Sequence, residues 1–347
     1  MRDQRKEYNT NVNERRVKIS VVIPAYQAET MLPACLKAIR MSSKVPYEII
    51  VVNDCSMDRT AEIAQQSGAR VLNTKEQSGS AAARNLGARN ASDDILLFID
   101  SDIVIQPGTI DLVETIFESG NCDAVFGSYD DDPAEQNFVS QYKNLQHHYV
   151  HQSADTNAET FWSGCGAIRR DVFLAMNGFD EIKYRHSSIE DIELGYRLKA
   201  DGYHVVLCKE MMVKHLKRWT FRSHLKTEIL HRAVPWAELI MSSRKMIQDL
   251  NLSIVQRVSA VLVYVAAVSA VLAAVHYFFI FPALFCVAGV LFLNRNLYVF
   301  FWKRRGFGFA LRTVPMHFLY YGYSAAAFGI CWANHAFHRI RSVFATP

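Results

Sequence analysis

The chain has 347 residues, of which 50% are hydrophobic, and a formal net charge of +4 at pH 7. This length is enough for one sizeable domain and an additional segment. Acidic residues concentrate before residue 200, whereas Lys and Arg dominate after residue 213. A basic second half beside apolar stretches favours contact with a membrane surface and argues against a nucleic-acid partner.

The seven cysteines are an odd number and include no Cys-x-x-Cys pair. This pattern predicts reduced thiols in a cytosolic compartment and not a disulfide framework. The first 16 residues are polar and lack an apolar core, so we expect a flexible tail and no signal peptide.

Strand and helix patterns alternate through the first hundred residues. We predict strands at 17–23, 47–52, 70–73 and 95–99, and helices at 29–41, 58–67 and 80–91. Pro24 is expected to end the first strand, and Gly68 to cap the second helix. This alternation indicates βαβ units and a parallel sheet.

The strand at 95–99 consists of five apolar residues and is followed by Asp100 and Asp102. Ligands of open α/β sheets bind at the carboxyl ends of the strands. Two carboxylates at this edge suit Mg²⁺ or Mn²⁺, which prefer oxygen ligands and bridge to substrate phosphates. A solvated loop that contains two aspartates is the alternative.

Two nucleotide-binding fingerprints are missing. No Gly-x-Gly-x-x-Gly follows the first strand, where the chain reads Pro24-Ala25-Tyr26, and no Gly-x-x-x-x-Gly-Lys-Ser/Thr occurs. The sequence therefore argues against a nicotinamide dehydrogenase and a P-loop NTPase.

Four motifs occur in order over the first half of the chain: residues 21–26 (VVIPAY), 51–60 (VVNDCSMDRT), 82–87 (AARNLG) and 98–102 (FIDSD). Together they resemble a family 2 glycosyltransferase of the GT-A fold, over residues 17–215. The resemblance implies a mixed, mainly parallel α/β sheet flanked by helices, followed by interfacial and transmembrane helices. One departure is Asn53-Asp54-Cys55-Ser56, where the family usually has Asp-Asp-Gly-Ser; Asp54 keeps the second acidic position.

The resemblance implies a nucleotide-sugar donor, with a UDP-sugar favoured. Asp54 would accept a hydrogen bond from the base, and Pro24 and Tyr26 would lie near it; packing at the sheet edge explains Tyr26 equally well. Arg84 would face the diphosphate, because a guanidinium offers a fork of donors to phosphate oxygens. Asp100 would contact the ribose or a metal-bound water.

Asp102, with Asp100, would bind the divalent cation, Mg²⁺ or Mn²⁺. The cation would neutralise charge on the leaving nucleoside diphosphate. His215, after a predicted last strand at 205–208 and a short loop, would add a contact to the metal or a phosphate. A lone histidine is more often structural.

Residues 161–170 (FWSGCGAIRR) predict a turn that leads into a strand and then a helix at 171–176. The resemblance places such a loop, with Trp162 and Gly164, beneath the transferred sugar. Core packing is an equally good explanation of Trp162.

Residues 189–198 (IEDIELGYRL) predict a helix with Glu190 and Asp191 in its first turn. The positive end of the helix dipole explains acidic residues there. The resemblance instead places the general base of an inverting transferase at Asp191, with Glu190 in support. This base would take the acceptor hydroxyl proton as the oxygen attacks C1. A phosphate acceptor needs no base, and Asp191 would then orient it.

Residues 218–250 are basic and aromatic, which predicts one or two amphipathic helices at a membrane interface. Arg232 and Trp236 lie where processive members carry Gln-x-x-Arg-Trp, and we place both in the acceptor pocket. The match is poor, which argues against long-polymer synthesis. Anchoring at the interface explains both residues equally well.

Residues 258–293 contain no charged side chain, which suits two membrane spans with a turn near His276 and Pro282. Residues 294–312 predict another interfacial helix, and 313–333 a third apolar span. The positive-inside rule places the basic segments and the catalytic domain in the cytoplasm. A third full span would place the basic tail outside, so this segment could instead re-enter the membrane.

The expected organisation is a tail (1–16), a GT-A catalytic domain (17–215), interfacial helices (216–252), a membrane region (253–335) and a tail (336–347). We expect a multi-pass inner-membrane enzyme that moves a sugar to a lipid-linked glycan or a polyprenyl phosphate in cell-surface glycan synthesis. The alternatives are a small polysaccharide synthase and a catalytically silent GT-A binding module. A nucleotidyltransferase would require a Gly-rich basic loop after the first strand, which is missing.

Overall fold

The computed structural model describes residues 17–243 and 253–344. The predicted N-terminal tail and the last part of the predicted basic segment, including Arg244 and Lys245, lie outside these ranges.

An eight-stranded mixed sheet forms the centre of the described part of the chain. Its strands are β1 (Ile19–Ala25), β2 (Glu48–Asn53), β3 (Arg70–Asn73), β4 (Ile95–Ile99), β5 (Ile103–Ile105), β6 (Ala124–Tyr129), β7 (Cys165–Arg169) and β8 (Val205–His215). Their order across the sheet is β3-β2-β1-β4-β7-β6-β8-β5. Strands β1 to β4 pair in parallel, β7 is antiparallel to β4 and β6, and β5 is antiparallel to β8. The predicted fold class is confirmed.

Helices cover both faces of the sheet. In chain order they are α1 (Leu32–Arg40), α2 (Thr60–Gln66), α3 (Gly79–Asn90), α4 (Thr109–Glu118), α5 (Phe138–Ser153), α6 (Arg170–Ala175) and α7 (Glu190–Ala200). The central strand β4 is buried along its whole length, because side chains of its two faces enter two separate apolar cores. This burial fixes the position of the two aspartates that follow β4.

The prediction that Pro24 ends the first strand is wrong, because β1 continues to Ala25. The carbonyl oxygen of Ala25 accepts a hydrogen bond from the Asp54 N–H on the β2 side. Because backbone groups alternate sides along a strand, the backbone nitrogen of Pro24 faces β4. The pairing of β4 with β1 stops at Val22. The amide hydrogen that proline lacks has no ladder partner there, so the strand tolerates it.

Strand β8 is longer than predicted. It runs for 11 residues, so that His215 is its last residue and does not follow a separate loop. Pairing with both β6 and β5 extends the strand to this point.

The C-terminal third consists mainly of helices in its described ranges. It contains α8 (Phe221–Glu228), a π-helical turn (Ile229–Ala233), α9 (Val234–Ser243), α10 (Ile254–Ala273), a 3₁₀ turn (Tyr277–Phe279), α11 (Ile280–Leu293), α12 (Arg295–Arg305) and α13 (Phe307–Phe344). The turn at His276 is confirmed, whereas Pro282 lies inside α11. The predicted helix at 294–312 is wrong, because Gly306, at a φ of 86°, separates α12 from α13.

Within the described ranges, α10 is long and apolar enough to cross a membrane. Two further segments, Tyr277–Leu293 and Arg295–Arg305, are long and apolar enough only when they are counted together. A bend of 63° separates them. By length and composition the described residues thus offer one span, or two if the bent pair is one. The prediction of three spans exceeds this number.

The C-terminal helices pack against the sheet domain. Leu297 and Phe301 of α12 share an apolar cluster with Tyr142 of α5. Arg305 donates a hydrogen bond to the Gln141 side chain at 2.6 Å, and Arg304 pairs with Asp131 at 2.8 Å. Apolar packing and ionic contacts together hold these helices on the sheet domain.

Candidate active site

A buried guanidinium connects three elements at the carboxyl edge of the sheet. Arg84 of α3 is 3% exposed and donates to Asp100, after β4, at 2.6 Å, and to Glu190 of α7 at 3.0 Å. Burial disfavours the charged guanidinium, but the two carboxylates outweigh this effect and hold the pKa of Arg84 above its ordinary value. Arg84 therefore stays charged and positions both carboxylates.

Glu190 is held by further hydrogen bonds. Its carboxylate accepts from the Ser80 hydroxyl at 2.6 Å and from the Ser188 N–H at 2.7 Å, in addition to Arg84. These partners occupy most of its acceptor capacity. This geometry suits the supporting role predicted for Glu190.

Asp191 lies in the first turn of α7 and faces the same cleft. One carboxylate oxygen accepts two bonds from Ser163, from the N–H at 3.0 Å and the hydroxyl at 3.1 Å. Burial, followed by the negative charge of Glu190, raises the pKa of Asp191 to about 6. A base with this pKa is ionised at neutral pH and binds a proton more readily than an ordinary aspartate. The raised pKa of Asp191 suits a general base, and this role stays a prediction.

Asp54 directly follows β2, is 4% exposed, and contacts the first residue of α3. Its carboxylate accepts bonds from the N–H groups of Ser78 and Gly79, both at 2.8 Å, and from the Thr74 hydroxyl at 2.9 Å. A carboxylate has about four acceptor positions, so roughly one is left for a nucleotide base. Tyr26, just beyond β1, is 47% exposed, as a ring available for base stacking must be.

The departure from the family motif next to Asp54 is accommodated locally. The Asn53 side chain bonds to the Asn73 side chain at 2.9 Å and accepts from the Ser56 N–H at 3.2 Å. Cys55 has a φ of 58°, the left-handed conformation that the family's usual glycine adopts without strain. The loop therefore keeps a glycine-type turn without a glycine.

Asp102 and His215 meet where β5 and β8 lie side by side. The Asp102 carboxylate is 3.4 Å from Nε2 of His215, whose ring stacks on Tyr129 at 4.4 Å between centroids. The side chain of Asp102 is 18% exposed, so part of its carboxylate is accessible from outside the protein. Together the two residues offer one oxygen and one nitrogen ligand.

Trp162 and Gly164 are adjacent in space. A Cβ atom on Gly164 would lie 2.4 Å from the Trp162 ring, so only glycine fits beneath the indole. The Gly164 carbonyl accepts a bond from the Asp100 N–H at 3.0 Å. The Trp162 ring also contacts Tyr129 and His147, at 5.0 and 4.8 Å between centroids. This loop is thereby fixed to the aspartates after β4.

A cavity of about 700 Å³ extends from these carboxylates into the C-terminal helices. Arg84, Asp100 and Asp191 line one part of it, and Trp162, Arg232 and Trp236 also contribute. Apolar side chains of α9, α10 and α13 line another part: Ala237, Ile240, Ala260, Val261, Val265 and Phe328. The cavity thus joins the acidic site to an apolar channel between helices.

Residues 20–175 match the sequence model described as "Glycosyl transferase family 2". By this match, residues 20–175 form a family 2 glycosyltransferase domain. An uncharacterized glycosyltransferase of Haemophilus influenzae is 31% identical over 29% of this chain and 34% of its own length. The O-antigen chain rhamnosyltransferase RfbN of Salmonella typhimurium is 26% identical over 64% of this chain and 75% of its own length. The chain thus spans about a third of the first relative and three quarters of the second.

Two solved structures share the fold of this glycosyltransferase domain at 15% sequence identity. The mannosyltransferase PcManGT of Pyrobaculum calidifontis, in complex with GDP-Man and Mn²⁺, covers 90% of this chain and 87% of its own, with a TM-score of 0.55. S. aureus TarS 1-349, in complex with UDP-GlcNAc, covers 89% and 91%, with a TM-score of 0.51. This likeness confirms the GT-A fold.

A divalent cation at this site would have few protein ligands. Among the described residues, no group of three or more His, Cys, Asp or Glu side chains is arranged to hold a metal. The open carboxylate of Asp102 and the imidazole of His215 still fit an ion that is delivered with a diphosphate. Mg²⁺ in particular is commonly bound by one or two carboxylates, with substrate phosphates and waters as the other ligands. The second predicted metal residue, Asp100, is held by Arg84.

Some residues of this candidate site have no assignment from sequence. Ser163 lies within a recognised motif, yet only its contact with Asp191 reveals its role. Lys143 and Glu228 form a buried pair in the wall of the cavity. They are 85 positions apart, so no local pattern brings them together.

Proposed function

We propose that this protein transfers one sugar from a nucleotide-sugar donor to a membrane-associated acceptor, with inversion at the sugar's C1. One observation carries this proposal: a single cavity contains both Asp191, a carboxylate with a raised pKa, and the apolar side chains of α10 and α13. Such a cavity suits an acceptor with a polar reacting group and a hydrophobic tail.

The chemical step needs one base. An acceptor hydroxyl oxygen attacks C1, the bond from C1 to the diphosphate oxygen breaks, and its electron pair leaves with the nucleoside diphosphate. The hydroxyl proton passes to Asp191, whose orientation is set by the two bonds from Ser163. If a phosphate oxygen is the nucleophile, no proton is transferred and Asp191 orients the acceptor.

Asp54, Tyr26 and Pro24 would contact the nucleotide base. Asp102 and His215 would hold a Mg²⁺ or Mn²⁺ ion. When bound, the ion would supply Lewis-acid stabilisation of charge on the leaving diphosphate. The GDP-Man and Mn²⁺ bound to PcManGT and the UDP-GlcNAc bound to TarS support these assignments, and a UDP-sugar remains the favoured donor.

The membrane assignment rests on composition and charge. α10 is long and apolar enough to span a bilayer, and basic residues precede it in the sequence. We propose an inner-membrane protein whose catalytic domain, residues 17–215, is cytoplasmic. The acceptor would be a lipid-linked glycan or a polyprenyl phosphate, used in cell-surface glycan synthesis. The similarity to RfbN, an O-antigen chain rhamnosyltransferase, supports this class of acceptor.

The test is a donor screen with detergent-purified full chain, crude membrane lipid and Mn²⁺ or Mg²⁺. We expect one nucleotide sugar to be consumed and its sugar to appear in the lipid fraction. Asp191→Asn should abolish the transfer, whereas Asp201→Asn, at the exposed far end of the same helix, should not. Failure to bind or consume any donor would contradict an active transferase and favour a binding module.

A further inference from the structure

Three charged residues form a cluster in the wall of the cavity. Lys143 of α5 pairs with Glu228, the last residue of α8, at 2.5 Å, and both side chains are about nine-tenths buried. Arg232, in the π-helical turn that follows, lies 3.5 Å from the same Glu228 oxygen. All three line the cavity. The cation cluster is defined here as Lys143, Glu228 and Arg232.

The cation cluster carries excess positive charge. Two cations share one carboxylate, and the attraction of Lys143 and Arg232 outweighs burial and lowers the pKa of Glu228 to about 2, so it is ionised at neutral pH. Burial lowers the pKa of Lys143 to about 8, so most of the ammonium is still charged at pH 7. The cluster therefore has a net charge of about +1 in a partly desolvated place. Such a charge is costly unless an anion compensates for it.

The surroundings indicate where that anion would come from. The other charged groups that line this cavity are Arg84, Asp100, Glu190 and Asp191 at the catalytic part and Arg257 at the start of α10. The catalytic part of the cavity has a net negative charge, so it repels an anion. Arg257 instead adds a positive charge to the part of the cavity that contains the cation cluster. Val261 and Val265, one and two turns beyond Arg257 on α10, line the apolar channel.

We propose that the cation cluster binds the phosphate group that links the lipid and the sugar of a lipid-linked acceptor, while the apolar channel holds its hydrocarbon chain and a sugar hydroxyl remains the nucleophile. This inference rests on the proposed function and specifies the acceptor of that same site. Arg232 presents a guanidinium, the side chain whose fork of donors matches phosphate oxygens. It lies in a π-helical turn, Ile229–Ala233, a rare geometry that is common at functional sites.

Glu228 acts as a positioning residue in this arrangement. It holds Lys143 and Arg232 together and prevents their mutual repulsion before the acceptor binds. A phosphate that enters would approach the two cations from the cavity. The proposed phosphate site is separate from the donor diphosphate site, which belongs to Asp102 and His215 at the ends of β5 and β8.

The experiment measures binding of farnesyl phosphate and of farnesol to detergent-purified full chain, with UDP and Mn²⁺ present to fill the donor site. We expect farnesyl phosphate to bind at least tenfold more tightly than farnesol, because a charge-assisted hydrogen bond contributes that much. Arg232→Gln and Lys143→Gln should each remove most of this difference. Lys226→Gln, an exposed basic position on α8, should leave it unchanged.

Binding of UDP is measured first for every variant, so the two proposals fail separately. If wild type binds no nucleotide with Mn²⁺, the proposed function itself fails. If UDP binds but farnesyl phosphate binds no better than farnesol, only the phosphate inference is overturned. Inorganic phosphate that competes as well as farnesyl phosphate would overturn the assignment to a lipid. If Lys143→Gln does not fold, Arg232→Gln decides the result, because that side chain is 40% exposed.

Discussion

Ser163 donates two hydrogen bonds to one carboxylate oxygen of Asp191, from its N–H at 3.0 Å and from its hydroxyl at 3.1 Å. Both bonds favour the ionised carboxylate and so lower its pKa. Burial and the charge of Glu190 have the opposite effect and raise the pKa of Asp191 to about 6. Ser163 thus tunes the base as well as orienting it.

Ser163→Ala should move the acidic limb of the rate profile to higher pH. The base must be ionised to act, so transfer by wild type should increase as the pH rises through about 6. Loss of the hydroxyl bond destabilises the ionised form and raises the pKa of Asp191 by roughly half to one unit. The measurement is kcat/KM from pH 5 to 8, with Ser119→Ala on the surface as control. An unchanged limb would contradict the assignment of Asp191 as the titrating base.

Arg84→Lys should impair both stability and donor use. The guanidinium of Arg84 contacts Asp100 at 2.6 Å and Glu190 at 3.0 Å at the same time. A lysine ammonium does not have the planar geometry to make both contacts. Breaking a buried ion pair costs roughly 3–5 kcal/mol, of which lysine would recover a part. Thermal unfolding and donor KM are measured beside Arg89→Lys, an exposed arginine on the same helix. Equal behaviour of the two variants would show that the bridge is dispensable.

Removal of divalent cations should abolish transfer, and Mn²⁺ or Mg²⁺ should restore it. Asp102→Asn should make the affinity for UDP insensitive to Mn²⁺, because the carboxylate that fits the ion is lost. Asp94→Asn, at the exposed opposite end of β4, is the matched control. Titration calorimetry of UDP with and without Mn²⁺ reports both effects. A Mn²⁺ response that persists in Asp102→Asn would exclude this residue as a ligand.

Gly164→Ala should displace the indole of Trp162, since the new methyl group would lie 2.4 Å from the ring. Overpacking of this kind costs roughly 1–3 kcal/mol. Because Trp162 lines the cavity, we also expect kcat/KM to fall by at least tenfold. Gly108→Ala, where the added methyl group meets open space, should have neither effect. Wild-type activity in Gly164→Ala would show that the position of the indole is unimportant.

The sequence predicts the strands and helices up to β4 well, because apolar runs and turn residues mark them. Strand β4 and β3 have the predicted bounds. Such apolar runs and turn residues do not mark β5 or α5. Strand β5 has only three residues, and α5 buries the polar side chains Gln141, Lys143 and Asn144. Their conformation depends on tertiary contacts that the local sequence does not show.

The candidate site is predictable where one residue follows one strand, as Asp100 follows β4. It is less predictable where distant residues meet. The sequence resemblance predicts that Arg84 faces the donor. In the structure Arg84 bridges Asp100, 16 positions away, and Glu190, 106 positions away. The pair of Lys143 and Glu228 likewise forms only when the C-terminal helices pack on α5.

The anomeric configuration of the product tests the central claim most directly, because a single displacement assisted by Asp191 must invert C1. An α-linked nucleotide sugar is supplied, the lipid product is isolated, and the coupling of its anomeric proton is read by NMR. The account predicts a β-linked product from wild type and none from Asp191→Asn. An α-linked product would require two displacements and would contradict the role of Asp191 as the base of an inverting reaction.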